Sequence, residues 1–379
     1  MSMSSAVRLL CALLALIGAS AGAHAQNSCP AAGPCTLQPT RSPTCAAGSS
    51  GNSGLLHLQL RIGTSAHACP VVDTGSNGIV LSAKYLRGAN VVRAARQPPT
   101  PRYTSDGKTY TGFWVTASNV TVADPLNNAR TIPQIDLFCA TDTAELAASG
   151  QCACASQTTC PSVAMMGVGF GTVPYYSPDY NAFLQIAAGA AAGGSGTCTG
   201  YAIEGGARQI RIGLSETEPR YVMAKLPPKT AGTTPTGNCG PPSGWSWDWD
   251  RPIATASATM GASSFQQQTK LLIDSGIEYM ILSNNDERWP AFQPQGDTQF
   301  VPGVKVQVTL PGVSGTALDY SFTTVAASPA PPPPPAYVRW GSPGAGNPGI
   351  INTGNQILIG TDYLYDYSRG LNGFSANGN

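Results

Sequence analysis

The chain is short of charge. Only 11% of its 379 residues are Asp, Glu, Lys or Arg, 21 basic against 20 acidic. Without residues 1 to 25, whose one charged side chain is Arg8, the count is 20 against 20. So even a balance sets up no field to draw in nucleic acid or an anionic membrane. Histidine is scarcer still. Only His57 and His67 lie beyond residue 25, and Cys152-Ala-Cys154 with Cys160 has no second close cysteine pair beside it, which argues against a zinc cluster. There is no Gly-x-Ser-x-Gly elbow and no His-Glu-x-x-His, and Gly167-Val-Gly-Phe-Gly171 lacks the spacing of a dinucleotide loop. No apolar run is long enough to span a bilayer.

Glycine (43) and proline (32) are abundant instead, a composition that suits a turn-rich β protein. Residues 1–25 read as a secretory signal: Arg8, the apolar run Leu9 to Ile17, then small residues ending Ala23-His24-Ala25. Cleavage before Gln26 predicts a secreted or periplasmic product, and the preference for Arg over Lys suits a bacterial one. Eleven cysteines less Cys11 leave ten, an even set that predicts up to five disulfides without fixing their pairing.

The informative feature is a repeat. Val71-Val72-Asp73-Thr74-Gly75-Ser76 has a second version at Leu272-Ile273-Asp274-Ser275-Gly276, and these are the only two Asp-Thr/Ser-Gly tripeptides. A shift of 201 residues lays Val72 on Ile273, Asp73 on Asp274, Gly75 on Gly276, Val80 on Ile281 and Ser82 on Ser283. Each copy reads as a short apolar strand ending in a carboxylate, with a glycine two residues on that lets the backbone turn tightly. One copy would be an ordinary turn; two with matching flanks predict two similar lobes whose aspartates face each other.

In order along the chain, residues 26–54 read as a Cys/Pro/Gly-rich arm pinned by disulfides. From Leu56 to Ile62 apolar and polar residues alternate, the period of a half-buried strand with His57, Gln59 and Arg61 outward. Asp106-Gly107 predicts a hairpin within Tyr103–Val115, which by itself reads as an ordinary surface hairpin and whose exposed tip could also serve as a lid. Ala164 to Gly169 is an apolar run broken by glycines, with Ile357-Leu358-Ile359-Gly360 as its expected partner in the second half. Asn181 to Ile186 predicts a short helix and Ala187 to Gly196 a linker; Gln209 to Gly213 predicts a strand. The lobe boundary falls at Ser215 to Pro219, giving lobes 55–216 and 217–379. Trp245, Trp247 and Trp249 alternate with polar residues, to cover a sheet face or line a groove. Ala330 to Pro335 is an extended polyproline segment.

From Leu56 to Phe374 these features resemble the pepsin-like, two-lobed aspartic peptidases. The resemblance rests on the two Asp turns, on Ile62-Gly63-Thr64 before the first, on the hairpin where that family keeps its flap, and on the tail from Leu358 to Phe374. It implies a mostly β fold with the active-site cleft between lobes, and Asp73 and Asp274 as a catalytic dyad that shares one proton and activates water. It further implies Thr74 and Ser275 bracing the opposite loop, with Gly75, Ser76 and Gly276 in support, and Tyr103 as the flap tyrosine over substrate. The expected partner is a polypeptide held in the inter-lobe cleft by a monomer with no cofactor, metal, nucleic acid or membrane span. Three residues depart from the pattern. Ile277 stands where Ser76 stands in the first half and cannot donate a hydrogen bond to its aspartate. With Glu278 beside it, that predicts a pH optimum less acidic than the family's digestive members. Val80 replaces a tryptophan that steadies the flap tyrosine. The arm before Leu56 is nearly uncharged, unlike a cleft-blocking basic prosegment. The rival readings are a pepsin-fold protein that binds peptide or another macromolecule without cutting it, for which Ile277 and Val80 argue, and a disulfide-rich envelope domain, which leaves the repeat unexplained.

Overall fold

The computed structural model describes residues 34–45, 54–103, 107–142, 152–156, 158–171, 177–193, 196–229, 239, 245, 248–283, 292, 299–315, 317–324, 338–341 and 349–376. The signal segment, the hairpin tip at Asp106, Trp247 and the polyproline run lie outside them.

In chain order the elements are β1 (Cys35–Leu37), β2 (Gln59–Ile62), β3 (Val71–Asp73), β4 (Asn77–Ser82), β5 (Val91–Arg93), β6 (Gly112–Ala123), β7 (Ala129–Ala140), β8 (Ala164–Val168) and helix α1 (Ala182–Ala192). There follow β9 (Thr197–Glu204), β10 (Gln209–Ser215), β11 (Val222–Lys225), β12 (Ile253–Met260), β13 (Ser263–Leu272), β14 (Met280–Ser283) and β15 (Lys305–Pro311). The chain closes with β16 (Ala317–Thr323), β17 (Val338–Gly341), β18 (Ile350–Asn352), β19 (Thr361–Asp366) and β20 (Leu371–Ala376).

These strands make three sheets. One runs β2-β6-β7-β4-β8-β3 with β5 on β6, the second runs β16-β15-β12-β13-β18-β14-β17, and the third, β1-β10-β9-β19-β20-β11, takes strands from both halves of the chain. The first two share an unusual crossing. In the first, β8 lies between the strand entering the Asp turn and the strand leaving it, parallel to β3 and antiparallel to β4. In the second, β18 lies parallel to β13 and antiparallel to β14 in the same way. This mostly β architecture, two lobes each with a threaded Asp turn and a sheet built from both halves, is the two-lobed pepsin-like fold.

Local sequence accounts for most elements. Leu58, Leu60 and Ile62 are buried as their period of two requires. His57, expected outward, is buried as well, because the arm lies over it: Thr40 N–H donates to the His57 carbonyl (2.9 Å) and His57 N–H to that of Thr40 (2.7 Å). The arm is thus part of the fold. Its β1 is the edge strand of the third sheet, paired with β10 from Cys35 against Ile212 to Leu37 against Ile210, and the Cys45–Cys69 disulfide ties it to the segment entering β3. Helix α1 runs six residues past Ile186, so the expected linker is mostly helix. Asn181 caps it, its Oδ1 accepting from Phe183 and Leu184 N–H, and the alanines after Ile186 have the highest helix propensity of any residue.

Strands β9 and β19 are buried at every position, as strands covered on both faces are. Tyr201 on β9 donates its hydroxyl to the Val168 carbonyl at 2.6 Å, which ties the third sheet to β8, next to the first Asp turn. Trp249 is core, its indole N–H on the Tyr367 carbonyl at 2.9 Å; Trp245 packs 5.4 Å from the Tyr367 ring. Besides Cys45–Cys69, disulfides join Cys139–Cys152, Cys154–Cys160 and Cys198–Cys239, so the 152/154/160 cysteines are spent on disulfides. These four bridges among the described residues fit an extracellular or otherwise oxidising environment. Among the described residues no helix is long and apolar enough to cross a membrane.

Candidate active site

Two turns meet where the lobes meet. Asp73 closes β3 and Asp274 follows β13 by one residue past Ile273. The residue after each aspartate locks onto the opposite turn. Thr74 Oγ1 donates to the Ile273 carbonyl (2.7 Å), and Ser275 Oγ donates to the Val72 carbonyl (2.6 Å). Thr74 N–H then donates to Ser275 Oγ (3.0 Å) and Ser275 N–H to Thr74 Oγ1 (2.9 Å). Four reciprocal bonds, made by two residues 201 apart in sequence and all buried, fix one turn against the other.

Each carboxylate is also held within its own turn. Asp73 Oδ1 accepts from Gly75 N–H at 2.7 Å, and Asp274 Oδ1 from Gly276 N–H at 2.9 Å. Both side chains are almost fully buried, with Asp73 4% and Asp274 6% exposed, and they lie close enough for the charge of one to act on the other. Burial first, and the neighbouring Asp274 charge second, push the Asp73 carboxyl well above the usual carboxylate range, against the pull of the Ser76 and Gly75 hydrogen bonds.

The glycines have a different reason from the expected one. Neither Gly75 nor Gly276 has a positive φ, so freedom to turn is not what the site needs from them. A Cβ on Gly75 would lie 2.3 Å from Asp274 Cγ, and one on Gly276 would lie 2.6 Å from Asp73 Oδ1 and 3.2 Å from Asp274 Oδ1. Each glycine makes room for the other lobe's carboxylate.

The second oxygen of each aspartate shows where the halves diverge. Ser76 Oγ donates to Asp73 Oδ2 at 2.5 Å. Ile277 does nothing comparable, but Asp274 Oδ2 is not left bare: Asn352, the last residue of β18, donates to it through Nδ2 at 2.6 Å. The donor comes from the threaded strand and not from the loop. The missing donor from which a less acidic optimum was expected is therefore made good, and that expectation loses its main ground. Asn352 was overlooked because the closing segment of the second half was placed at Ile357–Gly360. Those residues form a helical turn instead. The register sets Leu272 against Asn352 and Ile281 against Asn352, which makes Gly354 the counterpart of Gly167. A Cβ on Gly167 would meet the Gly78 carbonyl at 2.7 Å, and one on Gly354 the Tyr279 carbonyl at 2.4 Å; Gly78 and Tyr279 are again 201 apart. The signal that marks the true segment is Asn352-Thr353-Gly354 directly after two isoleucines.

A groove of about 640 Å³ opens beside the turns. Its walls include Val71, Tyr103, Met165, Gly276, Ile277 and Glu278. Tyr103 N–H donates to the Lys108 carbonyl at 2.9 Å and its ring meets that of Tyr110 edge-on at 5.9 Å, so the described part of this hairpin sets the tyrosine in the groove wall. Val80 packs in a buried cluster with Trp114 and Tyr180, and Tyr103 and Tyr110 sit against its edge. Trp114 of β6 belongs to the same cluster, its indole N–H anchored on the Pro98 carbonyl at 3.0 Å.

No family profile and no curated protein matches the chain. Among solved structures the chain is similar to the crystal structure of basic 7S globulin from soybean, at 14% identity and a TM-score of 0.49, over 91% of this chain and 96% of that one.

Proposed function

We propose that the chain is a secreted or periplasmic aspartic endopeptidase that hydrolyses peptide bonds with Asp73 and Asp274. The observation that carries this reading is the pair of buried, neighbouring carboxylates, each held by its own turn and the two turns bonded to each other, beside a groove whose wall includes Gly276. Two like charges this close in a dry site cannot both ionise cheaply, so the pair keeps one proton over a wide pH range, and its titration belongs to the pair.

The chemistry follows from that shared proton. The ionised carboxylate takes a proton from a water held between the acids as the water oxygen bonds to the scissile carbonyl carbon. The carbonyl π pair moves onto its oxygen, which takes the proton of the other acid. Collapse reverses the roles. One hydroxyl proton of the tetrahedral intermediate returns to the acid that had given its own up, the carboxyl that took the water proton passes it to the amine, and the C–N bond breaks. Neither acid is consumed and no cofactor is called for. Tyr103 covers the substrate from the lid side.

A binder that does not cut drew its support from Ile277 and Val80. Asn352 gives Asp274 Oδ2 the donor that Ile277 cannot, which favours the peptidase at one of those two positions. The test is incubation of the mature chain with an unfolded protein from acidic to neutral pH beside Asp73→Asn. Cleavage by the parent alone supports the peptidase; an intact substrate at every pH refutes it.

A further inference from the structure

The two aspartates are held by unlike groups at equivalent oxygens. Asp73 Oδ2 faces the Ser76 hydroxyl, whereas Asp274 Oδ2 faces the Asn352 amide. A hydroxyl can donate to a carboxylate or, by rotating, accept from a carboxylic acid. An amide nitrogen can only donate. The orientation of Asn352 is not open either, since its Oδ1 accepts the Gly354 N–H at 2.9 Å, and only an oxygen can do that. The nitrogen is therefore turned to Asp274 by the backbone itself. Asn352 is 8% exposed and sits in β18 between β13 and β14, so it has no other rotamer to escape to without breaking the Gly354 contact.

We infer that Asn352 is a positioning residue that keeps Asp274 as the charged member of the pair and so places the shared proton on Asp73. This rests on the peptidase reading only for its consequence in catalysis: Asp274 would be the base toward water and Asp73 the acid toward the carbonyl. The asymmetry itself is a property of the resting protein. Protonated Asp73 keeps a favourable bond with Ser76 whichever way that bond runs. A proton on Asp274 Oδ2 would point at an N–H, and a proton on Oδ1 would compete with the Gly276 N–H at 2.9 Å.

The other charged groups near the pair do not supply this asymmetry by contact. Arg251, 8% exposed, acts on Asp274 through its charge at a distance. Tyr201 lies on the Asp73 side, neutral, with its hydroxyl given to Val168. Lys108 and Glu278 line the groove.

The experiment is 13C NMR of the full mature chain labelled at aspartate carboxyls, with the two signals assigned by Asp73→Asn and Asp274→Asn, at a pH where the pair holds one proton. The expected spectrum has Asp73 at the protonated position and Asp274 at the ionised one. In Asn352→Leu the two signals converge or exchange, and adding Ile277→Ser, which gives both acids the same kind of hydroxyl partner, leaves them close together. A proton found on Asp274 in the parent, or no response to Asn352→Leu, overturns the inference. The parent spectrum decides the point even if Asn352→Leu does not fold. Because the readout needs no turnover, an uncut substrate with the proton on Asp73 would sink the peptidase reading alone. In kinetics, Asn352→Leu is expected to move the acid limb of kcat/KM up by about one pH unit, the size of one lost charge-assisted hydrogen bond, and Ile277→Ser to move it back.

Discussion

Gly75 lies so close to Asp274 that a single added methyl would sit 2.3 Å from the carboxyl carbon. The relation is mutual, Gly276 standing in the same way against Asp73. Gly75→Ala and Gly276→Ala are thus expected to force the carboxylates apart while leaving either glycine's own backbone conformation allowed. The loss falls on activity: each substitution abolishes cleavage of a peptide substrate, with the chain still folded by circular dichroism. An Ala variant that retains near-parental kcat would show that the two acids are not held at this distance.

The reciprocal grip makes a second prediction. Thr74→Val removes the hydroxyl that serves the Ile273 carbonyl and the Ser275 N–H, leaving buried polar groups unpaired at about 1–3 kcal/mol. Ser275→Ala does the same to the Val72 carbonyl and the Thr74 N–H. Because the two hydroxyls share one network, denaturant melts of the double variant should show a coupling energy of about 1 kcal/mol or more. Additive losses would mean that the two turns are held independently.

The pH dependence of stability has a definite sign. Burial and the Asp274 charge raise Asp73 in the folded chain above its ordinary value of 3.8, so the folded state holds a proton that the unfolded chain releases. The stability tied to that proton is fully present below pH 3.8 and is lost as pH rises through the raised folded value. Asp73→Asn, which has no proton to lose, should match the parent in acid and become the more stable of the two toward neutral pH. Urea melts at several pH values check this. A difference that does not change with pH would mean Asp73 is not protonated by its surroundings.

Much of this site was legible because it repeats. Asp73, Asp274, Thr74, Ser275 and the two glycines come from short segments at a fixed shift, where turn chemistry and apolar flanks leave their mark in the residues themselves. Even so, the reason for the glycines was misread: room for a partner 201 residues away cannot be told from a tight turn until both turns are in place. Asn352 and Trp114 were illegible for another reason. Asn352 supplies the donor that Ile277 cannot, Trp114 packs in the cluster around Val80, and each is carried there by a strand set in place by sheet register. A one-residue difference in where β18 is placed would aim a different side chain at Asp274. His57 and the arm belong to the same class, since its burial comes from a strand that alternation within Leu56–Ile62 says nothing about.

The central claim is that Asp73 and Asp274 act as one unit. The measurement that tests it most directly is kcat/KM on one unfolded substrate for Asp73→Asn, Asp274→Asn and the double variant. Each single change should cost about a thousandfold or more, and the double should cost no more than either, since a pair that works by sharing a proton is lost whole when one member goes. Appreciable cleavage by either single variant, or losses that multiply in the double, would contradict the account.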